Sequence, residues 1–244
     1  MDRALYVGMA GAKETALAQG IVSNNLANAS TTGFKADLLQ ARSLAVYGAG
    51  YPSRAYVRTE NPAADLTPSA VMQTGRDLDL AIQGEGWFAV QALDGNEAYT
   101  RAGNLRVSAG GILTTGSGYP VLGESGPIAL PPVEKLEIGA DGTVSAKLLG
   151  QNNLAVLDRI KLVNAPAAQL EKGADGLFRL SSGEQAPADA SVRVTSGGIE
   201  SSNVNSVQAL VTMISLARLF EVQVKAMQEA EVTDEATTQL LRLR

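Results

Sequence analysis

The sequence predicts an α+β fold, with one helix at each end of the chain and a central, mostly antiparallel β domain. Three observations predict it. Apolar residues near both termini recur in steps of three and four, the period of a helix face. All nine prolines lie between Pro52 and Pro187, and the last glycine is Gly198, so the C-terminal stretch holds neither helix breaker. Between the ends, short alternating runs are separated by Asp-Gly and Gly-Gly turn signals.

The first helix is predicted from residue 5 to about 29. Leu5, Met9, Ala12 and Ala16 form one row, and Tyr6, Ala10, Leu17 and Ile21 form the adjacent row. Lys13 and Glu14 are its only charges. Gly8, Gly11 and Gly20 each weaken it by about 1 kcal/mol relative to alanine. Such a helix is marginal alone in water and needs partners to cover it. Asn24-Asn25-Leu26-Ala27-Asn28 closes it, and Asn28 and Gly33 read as left-handed stop residues.

Residues 36–75 read as an irregular, extended linker, with no periodicity from Ser43 to Gly75. Tyr47-Gly48-Ala49-Gly50-Tyr51-Pro52 and Asn61-Pro62 carry that reading.

Residues 76–199 read as the β domain. Leu78, Leu80 and Ile82 alternate on one face, which places Asp77 and Asp79 on a solvated face. Trp87-Phe88-Ala89-Val90 is a further strand. Asp94-Gly95-Asn96 and Asp141-Gly142 are hairpin turns, and residues 154–163 and 176–180 supply additional strands. The pieces Gly84-x-Gly86 and Gly116-x-Gly118 open no predicted helix, so they read as turns and not as a dinucleotide fingerprint.

The second helix is predicted over roughly residues 204–240. Leu210, Met213, Ala217, Phe220, Val224 and Met227 form a heptad seam, widened by Val207 and Ile214. Arg218, Glu221, Lys225 and Glu229 form a separate charged row. A helix of about 35 residues reaches ~50 Å, more than a small β domain covers. The seam therefore needs another helix, from its own N-terminus or from a neighbouring chain.

Composition excludes much chemistry. No Cys and no His occur, which removes thiol nucleophiles, disulfides, most zinc and copper sites and the usual neutral-pH proton shuttle. The net charge of −5 and the scattered Lys and Arg argue against nucleic-acid binding. No catalytic, cofactor-binding or metal-ligating set emerges, and an enzyme is not expected. The opening residues start no cleavable signal peptide. No long, uninterrupted apolar run is present, so membrane insertion is not expected.

Four blocks in order along the chain resemble one family. Ser23-Asn24-Asn25-Leu26-Ala27-Asn28-Ala29-Ser30-Thr31-Thr32-Gly33-Phe34-Lys35 is similar to the signature of bacterial flagellar rod and hook proteins. Leu78-Asp79-Leu80-Ala81-Ile82-Gln83-Gly84-Glu85-Gly86-Trp87-Phe88 looks like the start of their β domain. The stretch from Tyr99-Thr100-Arg101-Ala102-Gly103 to Gly118-Tyr119-Pro120-Val121-Leu122-Gly123, and Gly198-Ile199-Glu200-Ser201-Ser202-Asn203-Val204-Asn205, also resemble it. Leu105 stands where relatives often carry Phe, and Ser108 where an acidic residue is common. The opening Met1-Asp2-Arg3-Ala4-Leu5-Tyr6-Val7-Gly8 and the length look most like the proximal-rod members, with distal-rod members the close alternative.

The resemblance implies that the two terminal helices, residues 1–35 and 200–244, pack together as an inner helical assembly domain. It implies a structural subunit that polymerises helically into the torque-transmitting rod across the periplasm. Its partners would be further copies, other rod proteins and the flagellar type III export apparatus, with no cofactor. The assembly surface expected on this basis comprises Leu5, Met9, Leu17, Ile21, Asn24, Asn25, Leu26, Asn28, Gly33 and Phe34, with Leu210, Met213, Ile214, Ala217, Phe220, Val224 and Met227.

Overall fold

A computed structural model describes residues 2–45, 55–60, 63–148 and 153–242. The chain divides into two compact units. The first comprises Met1–Asn28, Asp37–Ala63 and Val204–Arg244; the second comprises Ala29–Ala36 and Ala64–Asn203.

The first unit is built on two helices, α1 (Asp2–Ala27) and the 37-residue α2 (Ser206–Arg242), which pack on each other. Asn205 caps α2: its Oδ1 accepts the Gln208 amide at 3.0 Å, satisfying one of the free donors of the first turn. Between the helices in sequence, β1 (Gln40–Ala45) pairs antiparallel with β2 (Ala55–Glu60), Gln40 opposite Glu60 and Ala45 opposite Ala55. This hairpin, and β3 in the second unit, correct the expectation of an irregular segment over residues 36–75. Ser43, Leu44 and Ala45 pair with strand β2 although no alternation marks them, because β1 is exposed on both faces. Tyr47 to Pro52, and Asn61-Pro62, lie outside the described residues.

Among the described residues the second unit holds fourteen short strands: β3 (Val71–Gln73), β4 (Leu80–Gln83), β5 (Trp87–Gln91), β6 (Glu97–Thr100), β7 (Leu105–Val107), β8 (Leu113–Thr115) and β9 (Val133–Ile138), then β10 (Thr143–Leu148), β11 (Leu154–Arg159), β12 (Leu162–Val163), β13 (Leu170–Lys172), β14 (Phe178–Leu180), β15 (Arg193–Ser196) and β16 (Gly198–Glu200). Every pairing among them is antiparallel. The largest sheet has the order β12-β5-β6-β14-β13, and a three-stranded sheet has the order β11-β10-β9. The pairs β15-β4, β16-β3 and β7-β8 complete the unit.

β5 explains how one sheet serves two cores. Successive side chains of a strand point to opposite faces. Phe88 and Val90 enter a core with Leu80, Leu105, Leu113, Val121, Ile128 and Val144, while Trp87 and Ala89 enter a second with Tyr99, Val163 and Phe178. The Trp87 and Phe178 rings tilt at 45° with centroids 4.7 Å apart. Burial on both faces is why residues 87–90 are apolar without alternation. Leu105 is fully buried in the first core. Ser108 closes the β7–β8 turn by accepting the Ile112 amide on Oγ at 3.1 Å.

One strand face differs from expectation. Asp77 is exposed, but Asp79 is buried. Its Oδ2 accepts the Thr74 hydroxyl at 2.7 Å, its Oδ1 lies 3.2 Å from Arg76, and its carbonyl accepts the Gly197 amide. The chain bends around this carboxylate, so the local alternation does not set its exposure.

Candidate assembly surface

The face of α1 that packs in-chain is made of small residues. Ala12, Thr15, Ala18 and Val22 are buried along one side. Gly8 and Gly11 extend that side: a Cβ on Gly8 would lie 2.9 Å from Met227 Cγ, and one on Gly11 would lie 3.0 Å from the Gln223 amide. Thr15 Oγ1 donates to the Gly11 carbonyl at 2.9 Å and lies 3.1 Å from the Gln223 side chain. Small side chains let the helix axes approach closely.

The larger apolar residues of α1 therefore remain outside. Leu5, Tyr6, Met9 and Leu17 are exposed, and Ile21 is half-buried. Of the two apolar rows read from the sequence, only Ala12 is buried.

α2 has two faces. Met213, Leu216, Ala217, Gln223, Val224, Met227 and Ala230 are half-buried at helical spacing, and Gln223 and Met227 touch α1. Phe220, 37% exposed, falls on this side. The opposite side carries Val207, Leu210, Val211, Ile214, Val222 and Val232, all exposed. The seam expected from the sequence thus splits: Met213, Ala217, Phe220, Val224 and Met227 lie on the paired side, while Leu210 and Ile214 belong to an uncovered series. Within Ser206–Gln239 one 18-residue window reaches a mean hydropathy of 1.4, so by length and composition alone this helix could cross a membrane, although it holds no uninterrupted apolar run. Arg218 and Glu221 interrupt its apolar run, which hid this from inspection of the sequence.

The Asn-rich stretch is a set of backbone substitutes. The Asn25 side chain accepts the Asp37 amide on Oδ1 at 2.8 Å and donates to the Asp37 carbonyl from Nδ2 at 2.9 Å. The Asn24 carbonyl accepts from the Asn28 amide and from Asn28 Nδ2 at 3.0 Å. Asn24 is exposed, and Leu26 and Asn28 are half-buried. Asn28 is not left-handed, because its side chain reaches a terminal helix carbonyl with ordinary backbone geometry.

Gly33, Phe34 and Lys35 belong to the second unit. Gly33 has φ +67°, and a Cβ there would collide with the Arg101 backbone, so only glycine fits. It is buried and offers no assembly surface. Phe34 lies under Lys172, with Nζ 3.9 Å from the ring centroid. Lys35 is 1% exposed and pairs with Glu200 at 2.6 Å. Burial pulls the Lys35 ammonium below its ordinary pKa, and Glu200 pulls it back. Glu200 also meets Arg101 at 3.0 Å, and the Arg101 guanidinium sits 5.4 Å from the Trp87 ring centre. Sequence reading missed this buried triad. The only signal was a charge placed in otherwise small and apolar motifs at Lys35, Arg101 and Glu200.

Comparison with known proteins completes the picture. Residues 5–35 match the family described as flagella basal body rod protein. Residues 81–146 match the flagellar hook protein FlgE/F/G D1 domain, and residues 195–240 match the flagellar basal body rod FlgEFG protein C-terminal family. The chain is 44% identical to the flagellar basal-body rod protein FlgF of Escherichia coli and 43% identical to that of Salmonella typhimurium, over all of both chains in each case. It is 31% identical to the flagellar basal-body rod protein FlgG of Bacillus subtilis, again over all of both chains.

Proposed function

Since the chain belongs to the flagellar basal-body rod protein family and is a structural subunit of that rod, we propose that it polymerises helically through its terminal helices into the proximal part of the drive shaft. In this reading it reaches the rod through the flagellar type III export apparatus, crosses the periplasm as part of the rod, and contacts further copies and other rod proteins.

The observation that carries the reading is the second apolar series on α2. Val207, Leu210, Val211 and Ile214 remain exposed after α1 has packed on the opposite side. Fully burying a side chain of this size contributes about 1.5–3 kcal/mol, so even partial coverage of the series drives association. On α1, Leu5, Met9 and Leu17 offer a matching uncovered set. Contacts between such different surfaces are heterologous, and repeating them generates an open array instead of a closed ring. Ile21, Asn24, Asn25, Leu26 and Asn28 support the surface by shaping the end of α1, and Met213, Ala217, Phe220, Val224 and Met227 support it by holding the pair together. A proximal position is supported by full-length identities of 44% and 43% to two proteins named FlgF.

Ile214→Asp tests the reading. Ile214 is 54% exposed, so the monomer tolerates the change while a covered interface does not. Rod incorporation should fall to background with the β unit melting as before. Normal incorporation of this variant would remove the open face of α2 from the assembly surface.

A further inference from the structure

The segments by which the chain enters or leaves the β unit are bonded to one another inside it. Gly33 donates its amide to the Glu200 carbonyl at 2.8 Å, and Asn203 donates its amide to the Phe34 carbonyl. Asn203 Oδ1 accepts the Ala36 amide at 2.8 Å, and its Nδ2 donates to the Asp65 carbonyl at 2.8 Å. Asp65 in turn donates its amide to the Ala36 carbonyl at 2.7 Å. Lys35 Nζ donates to the Thr67 carbonyl at 2.8 Å, and the Ser69 amide donates to Glu200 Oε1 at 3.0 Å. Residues 29–36 form no helix or strand, so these bonds, with Lys172 donating to the Lys35 carbonyl at 2.7 Å and lying over the Phe34 ring, hold them.

At the centre sits the ion triad. Lys35, Arg101 and Glu200 are 1%, 4% and 2% exposed. They come from the N-terminal segment, the middle and the C-terminal strand of this unit. Such a cluster is poor as a source of stability, because desolvation offsets the attraction, but removing one member leaves a buried charge uncompensated. The two cations share a single carboxylate, and Arg101 Nη2 is further held by the Gly84 carbonyl at 2.7 Å.

We propose that Lys35, Glu200 and Arg101 form a closure latch that makes the docking of residues 29–36 conditional on the C-terminal strand β16 being in place. Glu200 is the keystone, since it touches both cations, the Ser69 amide and, through its carbonyl, Gly33. The signature segment opens as a unit with residues 200–203, separately from the two apolar cores. Lys35→Met leaves the balanced Glu200–Arg101 pair and opens the latch selectively. Glu200→Gln strands two cations and has the larger effect.

Amide hydrogen exchange on the full chain tests this. The Gly33 and Asn203 amides report the latch, and the Ala89 and Leu113 amides, bonded to the Lys161 and Ile128 carbonyls, report the cores. In the unsubstituted chain under mild urea, Gly33 and Asn203 should open together at lower cost than Ala89 and Leu113. In Lys35→Met, exchange at Gly33 and Asn203 should rise roughly tenfold or more, as expected for loss of a hydrogen bond to a charged group, with the cores unchanged. Glu200→Gln should accelerate the same two amides further. Equal acceleration at latch and cores, or none at the latch, would overturn the proposal. So would independent opening of Gly33 and Asn203 in the unsubstituted chain, a result that needs no variant to fold.

Discussion

The two units solve burial in opposite ways. The β unit gathers most of its large apolar side chains, Trp87, Phe88, Tyr99 and Phe178 among them, into two cores, and it buries the Lys35–Glu200–Arg101 charges as well. The helical unit buries alanine, threonine and valine on α1 and leaves Leu5, Met9, Leu17, Leu210 and Ile214 in solvent. A domain that is stable alone places its large residues inside, because each contributes most there. The helical unit reserves them. The lesson is that one chain can join a part that covers its core to a part that leaves large apolar residues open, and the proposed assembly uses that second part.

The comparison can be broken first at the β core. Phe88→Ala should lower the stability of the β unit by about 3–5 kcal/mol, read as a shift in its denaturant midpoint. A small loss there would show that this core is not the anchor of the molecule.

The alkaline limb is the next test. Burial pushes the Tyr99 phenol up to about 12 from its ordinary 10.0. The folded state therefore holds a proton that the unfolded state gives up, so stability is fully present below pH 10 and is lost as pH rises toward 12. Tyr99→Phe should flatten that slope in a pH series of melts. It should also lower stability at neutral pH, because the phenol oxygen accepts the Ala186 amide at 2.7 Å.

Helix glycines give the smaller effects, with opposite signs. Gly8→Val pushes a branched side chain toward Met227 and should destabilise the helix pair by about 1–3 kcal/mol. Gly20 has open space where its Cβ would be, so Gly20→Ala should stabilise α1 by up to about 1 kcal/mol. Helical circular dichroism during melting separates the two, and equal effects at both glycines would show that the close approach at Gly8 is unimportant.

Much of the fold was legible in the sequence because its determinants are local. Helical spacing marked α1 and α2, and Asp94-Gly95 and Asp141-Gly142 marked the β5–β6 and β9–β10 hairpins. The face of α1 that packs in-chain was not legible. Its small residues carry little hydrophobic signal, and the row of Leu5 and Met9 outshone them. The β1–β2 hairpin was missed because a strand exposed on both faces has no alternation to read. Asp79 looked solvated because its burial depends on Thr74 and Gly197, the latter far along the chain. Lys35 and Glu200 meet across 165 positions, which no local pattern encodes. Of the proposed assembly surface, the apolar residues on both helices were visible from spacing, but which of them stay exposed and which face the paired side required the fold.

Hydrogen exchange of the full-length chain, first as a dilute monomer and then assembled, tests the contrast between the units most directly. The result expected is that Phe88 and Val90 amides are protected equally in both states, while α2 around Leu210, Ile214 and Val222 gains strong protection only on assembly. Equal protection of both helices and both cores in the dilute monomer, unchanged by concentration, would contradict it.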